Sequence, residues 1–405
     1  MPPFPGQTPH PSTVTSSLDV LRNIRGRVLL HVKATGQAPL GQVSRSTGGV
    51  VFSGANASKS CAEFVQDTDH GVPTIIDPAL YENFEATPDL PMGDGNEPVP
   101  MDYPPSGTND SEGDPRHLRL TPTRYLPCTD RGEVALRNAM AEGEREKDPA
   151  LVLAVPIDVR WLVDRREDLL HILNATPAPK AIILCHKGNP MGSGGHAAGL
   201  REIFSRCENT ALLRTDLAAF EAMVHGAAFA SIGDRSSVRY SPLPGRHGWN
   251  KRNDRSPNVL HPTMLDYFRG STLATYFRDV SHECTCPACS SWAEKNGRNS
   301  GGRHLSSYTD SADTYDAHAH NLATWSHLWD LISSQTSPER QRDYWRRMCA
   351  NSVATFEYLN DKHSRRIKAF KAPVHLRVWS DPDGRSGSAP DLQIPCGELS
   401  PERSD

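Results

Sequence analysis

The sequence has no apolar run long enough to cross a bilayer, which excludes a membrane-spanning helical protein. Its opening stretch, MPPFPGQTPHPSTVTSS, lacks the basic-then-apolar order of a secretory signal. A cytoplasmic protein is therefore expected, in a compartment where thiols stay reduced. Cysteine is scarce and odd in number, 9 in 405 residues, so a disulfide framework is not expected. The Gly-x-Gly-x-x-Gly fingerprint and the P-loop pattern are both missing; the glycine-rich MGSGGHAAG (191–199) before a helix matches neither. That argues against an open nucleotide-binding sheet. The net charge of −4 excludes a bulk polyanion binder, and no internal repeat points to a solenoid.

What the sequence does contain is alternation. VLLHV (28–32), PTIID (73–77), LVLAVPID (151–158), AIILCH (181–186), ALLRTD (211–216) and AAFASI (227–232) are short, continuously apolar runs. Such runs suit parallel strands covered on both faces. Helical patterns over 130–147, 159–175, 196–207 and 216–226 lie between them. The order from 151 to 232 predicts an α/β fold with right-handed crossovers. A closed eight-stranded barrel of the TIM (β/α)8 type and an open doubly wound sheet both fit this order, the missing fingerprints arguing mildly against the second. Residues 18–280 are assigned to the barrel, with a polar loop inserted at 88–117. Residues 281–379 are assigned to a cysteine-bearing helical subdomain, and 1–17 and 380–405 to loose tails.

In a barrel, chemistry gathers at the C-terminal ends of the strands. Asp77, Asp158, His186, Asp216 and Asp234 all fall at or just past such ends. Each alone reads as well as a cap or turn residue, and for Asp77 and Asp216 that reading is strong. Locally, 234–255 carries Arg235, Arg239, Arg246, Lys251, Arg252 and Arg255 against Asp234 and Asp254. This basic strip suits phosphate contacts or a solvated loop equally.

SHECTCPACSSW (281–292) places Cys284, Cys286 and Cys289 within six positions. Thiolates at i, i+2 and i+5 can wrap one ion at a sharp turn. Zinc in a structural site takes four Cys or His ligands tetrahedrally. His320, in DAHAHNLATW, ranks first as the fourth ligand and His318 second, ahead of His282 and Cys349. A redox dithiol leaves Cys284 surplus, and an iron–sulfur cluster lacks a nearby fourth thiol. In the helices that follow, Trp325, Leu328, Trp329 and Ile332 form an apolar stripe suited to core packing.

CTCPACS followed later by His320-Asn321-Leu322 resembles the tRNA-guanine transglycosylase family, as does ALLRTDLAAFEAMVHGAAFASIGDRSSVR upstream. Together these cover roughly the second half of the chain. The resemblance implies a zinc-containing TIM barrel that exchanges guanine in a nucleic acid, DNA or tRNA, for a 7-deazaguanine base. It implies Cys284, Cys286, Cys289 and His320 as ligands of a structural zinc. It also implies two carboxylates: one attacks the anomeric carbon to form a glycosyl-enzyme and the other serves as general acid/base. The family's nucleophilic Asp follows a Phe on its strand, whereas GAAFAS (226–231) holds no carboxylate. Asp234 is the nearest substitute, with Asp77 as acid/base. Asp158 and His186 are assigned to the base pocket. Arg246 and Arg252 are assigned to phosphates, with Trp249 available to stack on a base. The family's glycine-rich substrate loop is not reproduced, and the spacing from Cys289 to His320 is longer than usual. Both departures suit a divergent branch such as one acting on DNA. Other readings are an inert barrel that binds nucleic acid or a partner protein, and a zinc-stabilised hydrolase using His186 and His196. A homodimer is left open.

Overall fold

Strands buried on both faces must be apolar at nearly every position, and the runs named above meet that demand. The computed structural model describes residues 19–33, 38–67, 71–93, 117–146, 148–246, 254–276, 283–298, 301–363 and 371–380. Eight strands close into a parallel barrel in chain order: β1 (Val28–Lys33), β2 (Val50–Ser53), β3 (Thr74–Asp77), β4 (His117–Leu120), β5 (Leu151–Asp158), β6 (Lys180–Cys185), β7 (Thr210–Thr215) and β8 (Ala230–Gly233). This is the expected TIM-type architecture. Closure pairs β8 with β1, with Leu30 opposite Ile232 and His31 opposite Gly233.

Period two divides the strand residues between two cores. Leu29, Val51, Ile75, Leu118, Leu120, Val152, Ala154, Ala181, Ile183, Ala211, Leu213 and Phe229 fill the barrel. Leu30, Val50, Phe52, Val155, Ile182, Leu212 and Ile232 face the surrounding helices. The inward face of VLLHVK therefore runs Leu29, His31, Lys33, apolar at the bottom and ionisable at the mouth.

The helices around the barrel are α1 (Ala57–Asp67), α2 (Asp130–Arg145), α3 (Arg166–Ala175), α4 (Gly194–Arg206), α5 (Ala218–Val224) and α6 (Ser236–Arg239). Thr129 caps α2 by accepting the Gly132 amide at 3.1 Å. The helix expected over 159–175 is divided into a 3-10 turn, Val159–Leu162, and α3. Asp158 caps that turn by accepting the Arg160 amide.

Of the barrel strands, β2 and β4 escaped the sequence reading, as did the helices α1 and α6. The polar stretch 88–117 is not wholly loop, since Met92 bridges Thr123 and His117 opens β4. Its span 94–116 lies outside the described residues, as do Trp249, Arg252 and His282.

Beyond the barrel come β9 (Asn258–His261), β10 (Asp266–Arg269), α7 (Gly270–Tyr276), β11 (Glu283–Cys284), α8 (Pro287–Lys295), β12 (Arg303–His304), α9 (Thr314–Ser333), α10 (Pro338–His363) and α11 (Val374–Ser380). β9 pairs with β10 and β11 with β12, both antiparallel. Trp329 of α9 stacks on Phe220 of α5 with ring centres 5.8 Å apart, and Trp345 of α10 meets the same ring edge-on at 5.5 Å. The sequence stripe through Trp325 and Trp329 is thus core, as its helical spacing predicts. Among the described residues no helix is long and apolar enough to cross a membrane.

Candidate functional site

Two constellations stand out, one of sulfur and imidazole beyond the barrel and one of charged groups in its mouth. The first joins Cys284 at the end of β11, Cys286 and Cys289 at the start of α8, and His320 in the second turn of α9. One donor atom from each residue lies within 4.8 Å of the others, and all four residues are buried. Pro287 at the first position of α8 turns the chain between the second and third thiols.

His320 Nε2 lies 2.9 Å from the carbonyl oxygen of Leu260. A carbonyl only accepts, so Nε2 carries a hydrogen, and the neutral ring has its lone pair on Nδ1. That lone pair faces Cys286 Sγ at 3.5 Å and Cys289 Sγ at 3.4 Å. A ligating histidine held through its other nitrogen is the usual outer-shell arrangement of a metal site. Three sulfurs and one imidazole packed this closely, away from water, form a donor set that a cation would satisfy. The cluster could therefore hold a metal. His318 and Cys349 are buried but lie outside it.

The neighbouring residue explains the rest of the His-Asn-Leu run. Asn321 accepts the Leu260 amide at 2.6 Å and donates to the Asn258 carbonyl at 2.9 Å. It clamps β9 to α9, while Leu322 enters the core.

The second constellation follows from barrel closure. Asp77 ends β3 and Asp234 follows β8, so the two come to either side of β1. The Asp234 amide bonds the His31 carbonyl at 3.0 Å, and His31 Nε2 lies 3.6 Å from Asp77 Oδ2. Beneath them runs a chain of hydrogen bonds. The Arg214 amide donates to Ser231 Oγ at 2.9 Å, and Ser231 Oγ lies 3.0 Å from His31 Nδ1. With the amide donating, the serine hydroxyl can give its own hydrogen to Nδ1, leaving Nε2–H turned to Asp77.

Arg214 reaches this site through a backbone irregularity. By period two it would face the helices, but β7 has a register shift between Leu212 and Thr215, and Arg214 has φ 57°. The bulge re-aims the side chain, at a cost of about 1–2 kcal/mol for the left-handed conformation. Its guanidinium donates to Tyr81 Oη at 3.2 Å, bonds the Ser237 carbonyl and pairs with Glu82. Glu82 has a second cation, Lys33, at 3.2 Å.

Charge states follow from these partners. Burial pushes the Asp77 carboxyl up, but His31, Tyr81 and Arg214 together hold it below its ordinary value. Burial outweighs the pull of Asp77 on His31, whose pKa is lowered, so the imidazole is neutral near pH 7. Glu82 is held ionised by Arg214 and Lys33 against the effect of burial.

The strand-end carboxylates differ in their freedom. Asp77 accepts the Ala79 amide at 2.9 Å and the Tyr81 hydroxyl at 2.6 Å. Asp158 accepts the Arg160 amide at 2.9 Å and the Tyr125 hydroxyl at 2.7 Å. Asp216 accepts the Ala218 amide at 2.9 Å and the Tyr240 hydroxyl at 2.8 Å. All three are turn caps braced by a tyrosine. Asp234 departs from the pattern: Arg235 binds Oδ2 at 2.7 Å, and Oδ1 is buried with no hydrogen-bond partner.

Asp158 and His186 end β5 and follow β6, on a different arc of the mouth from Asp77 and Asp234. His186 Nδ1 accepts the Gly188 amide at 3.2 Å, and its ring meets that of His196 at 6.1 Å. A cavity of about 510 Å³ lies over β1 to β3, lined by Lys33 and Glu82 among others and by none of Asp77, Asp158, His186 and Asp234. Arg246 is exposed.

His31, Lys33, Tyr81, Glu82, Arg214 and Ser231 were not picked out from sequence. His31 and Lys33 had a signal, since both occupy the inward parity of VLLHVK. Arg214 had none, because the bulge inverts its parity. No protein-family model matches the chain, and no curated protein matches it, so the chemistry is read from the residues themselves.

Proposed function

We propose that this protein is a base-exchange glycosyltransferase acting on a nucleic acid, of the kind the sequence resembles. The observation that carries the reading is a pair of buried strand-end carboxylates, Asp77 and Asp234, brought to opposite sides of His31 by barrel closure. A Cys3His cluster accompanies them in the same chain.

The reaction needs a nucleophile and a proton carrier. The free Oδ1 of Asp234 is suited to attack the anomeric carbon of the target nucleotide. The bond to N9 of guanine breaks, its electron pair passes to the base, and an ester joins sugar to Asp234. The incoming 7-deazaguanine then loses its ring N–H proton and displaces the aspartate. The departing guanine takes its proton from solvent, and Asp77, held ionised at rest, is the form that accepts the proton of the incoming base and returns it to solvent. His31, neutral and hydrogen-bonded to Ser231, keeps Asp77 oriented. The target nucleotide must leave its stack to reach these groups, which costs a few kcal/mol.

The ion assigned to the Cys3His cluster is zinc. Four such ligands leave no open position, so it would cross-link β11, α8 and α9 rather than enter the reaction.

The test uses labelled 7-deazaguanine with DNA and with tRNA in parallel. Wild-type protein should incorporate label into one of them, and Asp234→Asn and Asp77→Asn should each reduce incorporation by at least about a hundredfold. Full activity in both variants overturns the residue assignment. Absence of incorporation by the wild type overturns the reaction.

One observation favours a second reading, a non-catalytic barrel that binds nucleic acid. The inward position of β8 beside His31 holds Ser231, which has no carboxylate to offer. Salt-dependent binding of an oligonucleotide without base exchange supports that alternative.

A further inference from the structure

The cavity over β1 to β3 has a composition that the carboxylate chemistry does not use. Lys33, Ser53, Gly54, Asn56, Glu82 and Asn83 are among the residues that line its volume of about 510 Å³. That volume is within the range of roughly 300–1,000 Å³ usual for small-ligand sites. The parallel register sets Lys33 opposite Ser53, and Ser53 opposite Asp77. Paired residues of parallel strands project to the same side, so the Lys33 ammonium and the Ser53 hydroxyl share one face. Ser53 is only 1% exposed, yet its Oγ has no hydrogen-bond partner. Leaving a buried hydroxyl unpaired costs about 1–3 kcal/mol, so the position suits a ligand that accepts from it.

The chain beyond Ser53 supplies a third element. Gly54 has φ +96°, and a Cβ built there would meet nothing within 4 Å. The glycine is required by its left-handed turn, not by crowding, and the approach past it is open. The Ala57 amide closes the turn on the Gly54 carbonyl at 3.0 Å, and the eleven-residue helix α1 starts there. First-turn amides of a helix have no intrahelical acceptor and carry the positive end of its dipole. The negative group at the rim, Glu82, is already matched by two cations, Arg214 and Lys33. Lys33 gives Glu82 one contact, and an ammonium has three donors.

We infer that this cavity is a subsite for a phosphate group, held by Lys33, the Ser53 hydroxyl and the N-terminal end of α1. On the nucleic-acid reading above, on which this assignment of source rests, the phosphate is a backbone diester beside the extruded nucleotide. The subsite itself requires only the phosphate.

The test is calorimetric titration of the full chain with inorganic phosphate in a phosphate-free buffer. One saturable site is expected. Lys33→Met and Ser53→Ala should each weaken it roughly tenfold, the worth of one charge-assisted hydrogen bond. Lys295→Met, at the exposed end of α8, should leave it unchanged. Ser53→Ala removes a buried hydroxyl that bonds nothing within the protein, so a melting temperature no lower than wild type is expected and guards against misfolding. No saturable binding, or equal weakening by Lys33→Met and Lys295→Met, overturns the subsite. A second arm compares a single-stranded oligonucleotide with the same sequence carrying neutral methylphosphonate linkages. Weaker binding of the neutral analogue, with inorganic phosphate competing only against the native strand, supports the diester. A mononucleotide that occupies the site when no oligonucleotide does keeps the subsite and counts against the nucleic-acid function.

Discussion

His320 and Leu260 fix one another: the imidazole gives its Nε2 hydrogen to the Leu260 carbonyl at 2.9 Å, and so presents Nδ1 to Cys286 and Cys289. The fourth ligand is thereby pre-oriented by a backbone atom of β9. His320→Ala and Cys289→Ser should each lose the bound metal, measured as stoichiometric zinc by elemental analysis in the wild type and well under one equivalent in the variants. A strong chelator should lower the melting temperature of the wild type by many degrees, because metal binding at such a site is folding energy. Wild-type protein with no stoichiometric metal, or with visible iron absorbance, contradicts the zinc assignment.

Asn321 should matter to stability almost as much as its neighbour does to metal. It is 3% exposed and bonds both the Leu260 amide and the Asn258 carbonyl. Asn321→Ala leaves a buried backbone amide and a part-buried carbonyl unpaired, at about 1–3 kcal/mol each. Denaturant unfolding should register a loss of roughly 3 kcal/mol in total. Bound metal should fall less than in His320→Ala, since all four ligands remain.

Glu221 binds the outer helices together. Its Oε1 pairs with Arg201 of α4 at 2.6 Å, and its Oε2 accepts the Trp345 indole of α10 at 2.8 Å. Burial raises its pKa against the pull of Arg201. Glu221→Ala strands the mostly buried Arg201 and the buried indole, and should cost about 3–5 kcal/mol by denaturant melts. Glu221→Gln keeps an acceptor for Trp345 and should recover part of that loss.

The neutral state of His31 makes a prediction with a definite sign. Its folded pKa lies below the unfolded value of about 6.5, so between those values the unfolded chain binds more protons. The stability it supports is fully present above about pH 6.5 and falls as the pH drops through its folded pKa. The Asp77 carboxyl, also depressed, adds a loss at lower pH, below about 4. His31→Gln should flatten the fall in melting temperature as the pH drops below about 6.5, relative to wild type. An identical pH slope in the variant would show that the imidazole is not buried as a neutral group.

Much of this was readable in the chain. The β1, β3, β5, β6, β7 and β8 runs announce themselves by continuous apolar sequence, and Cys284, Cys286, Cys289 and His320 by residue type and spacing. β2 and β4 were not: VVFS follows a polar, glycine-containing stretch, and HLRL alternates polar with apolar residues where another polar stretch ends, so neither stands out as a continuous apolar run. Asp77 and Asp234 could be named as strand ends. Asp158 and His186 could be named on the same grounds, yet Asp158 proves to be a cap bound by Tyr125 and Arg160, and His186 lies on another arc of the mouth.

The sequence by itself determined which residue types stand at strand ends, because parallel strands demand apolar interiors and leave polar residues only at their mouths. It also determined the donor set of the Cys3His cluster, since three of its members are local to one turn. The tertiary structure decided which ends meet. Pairing of β8 with β1 is a contact between residues about two hundred positions apart, and it brings Asp234 to His31, while the pairing of β1 with β2 and of β2 with β3 brings His31 to Asp77. The bulge at Arg214 likewise depends on how β7 is held between its neighbours, so no local pattern could have turned that guanidinium into the mouth.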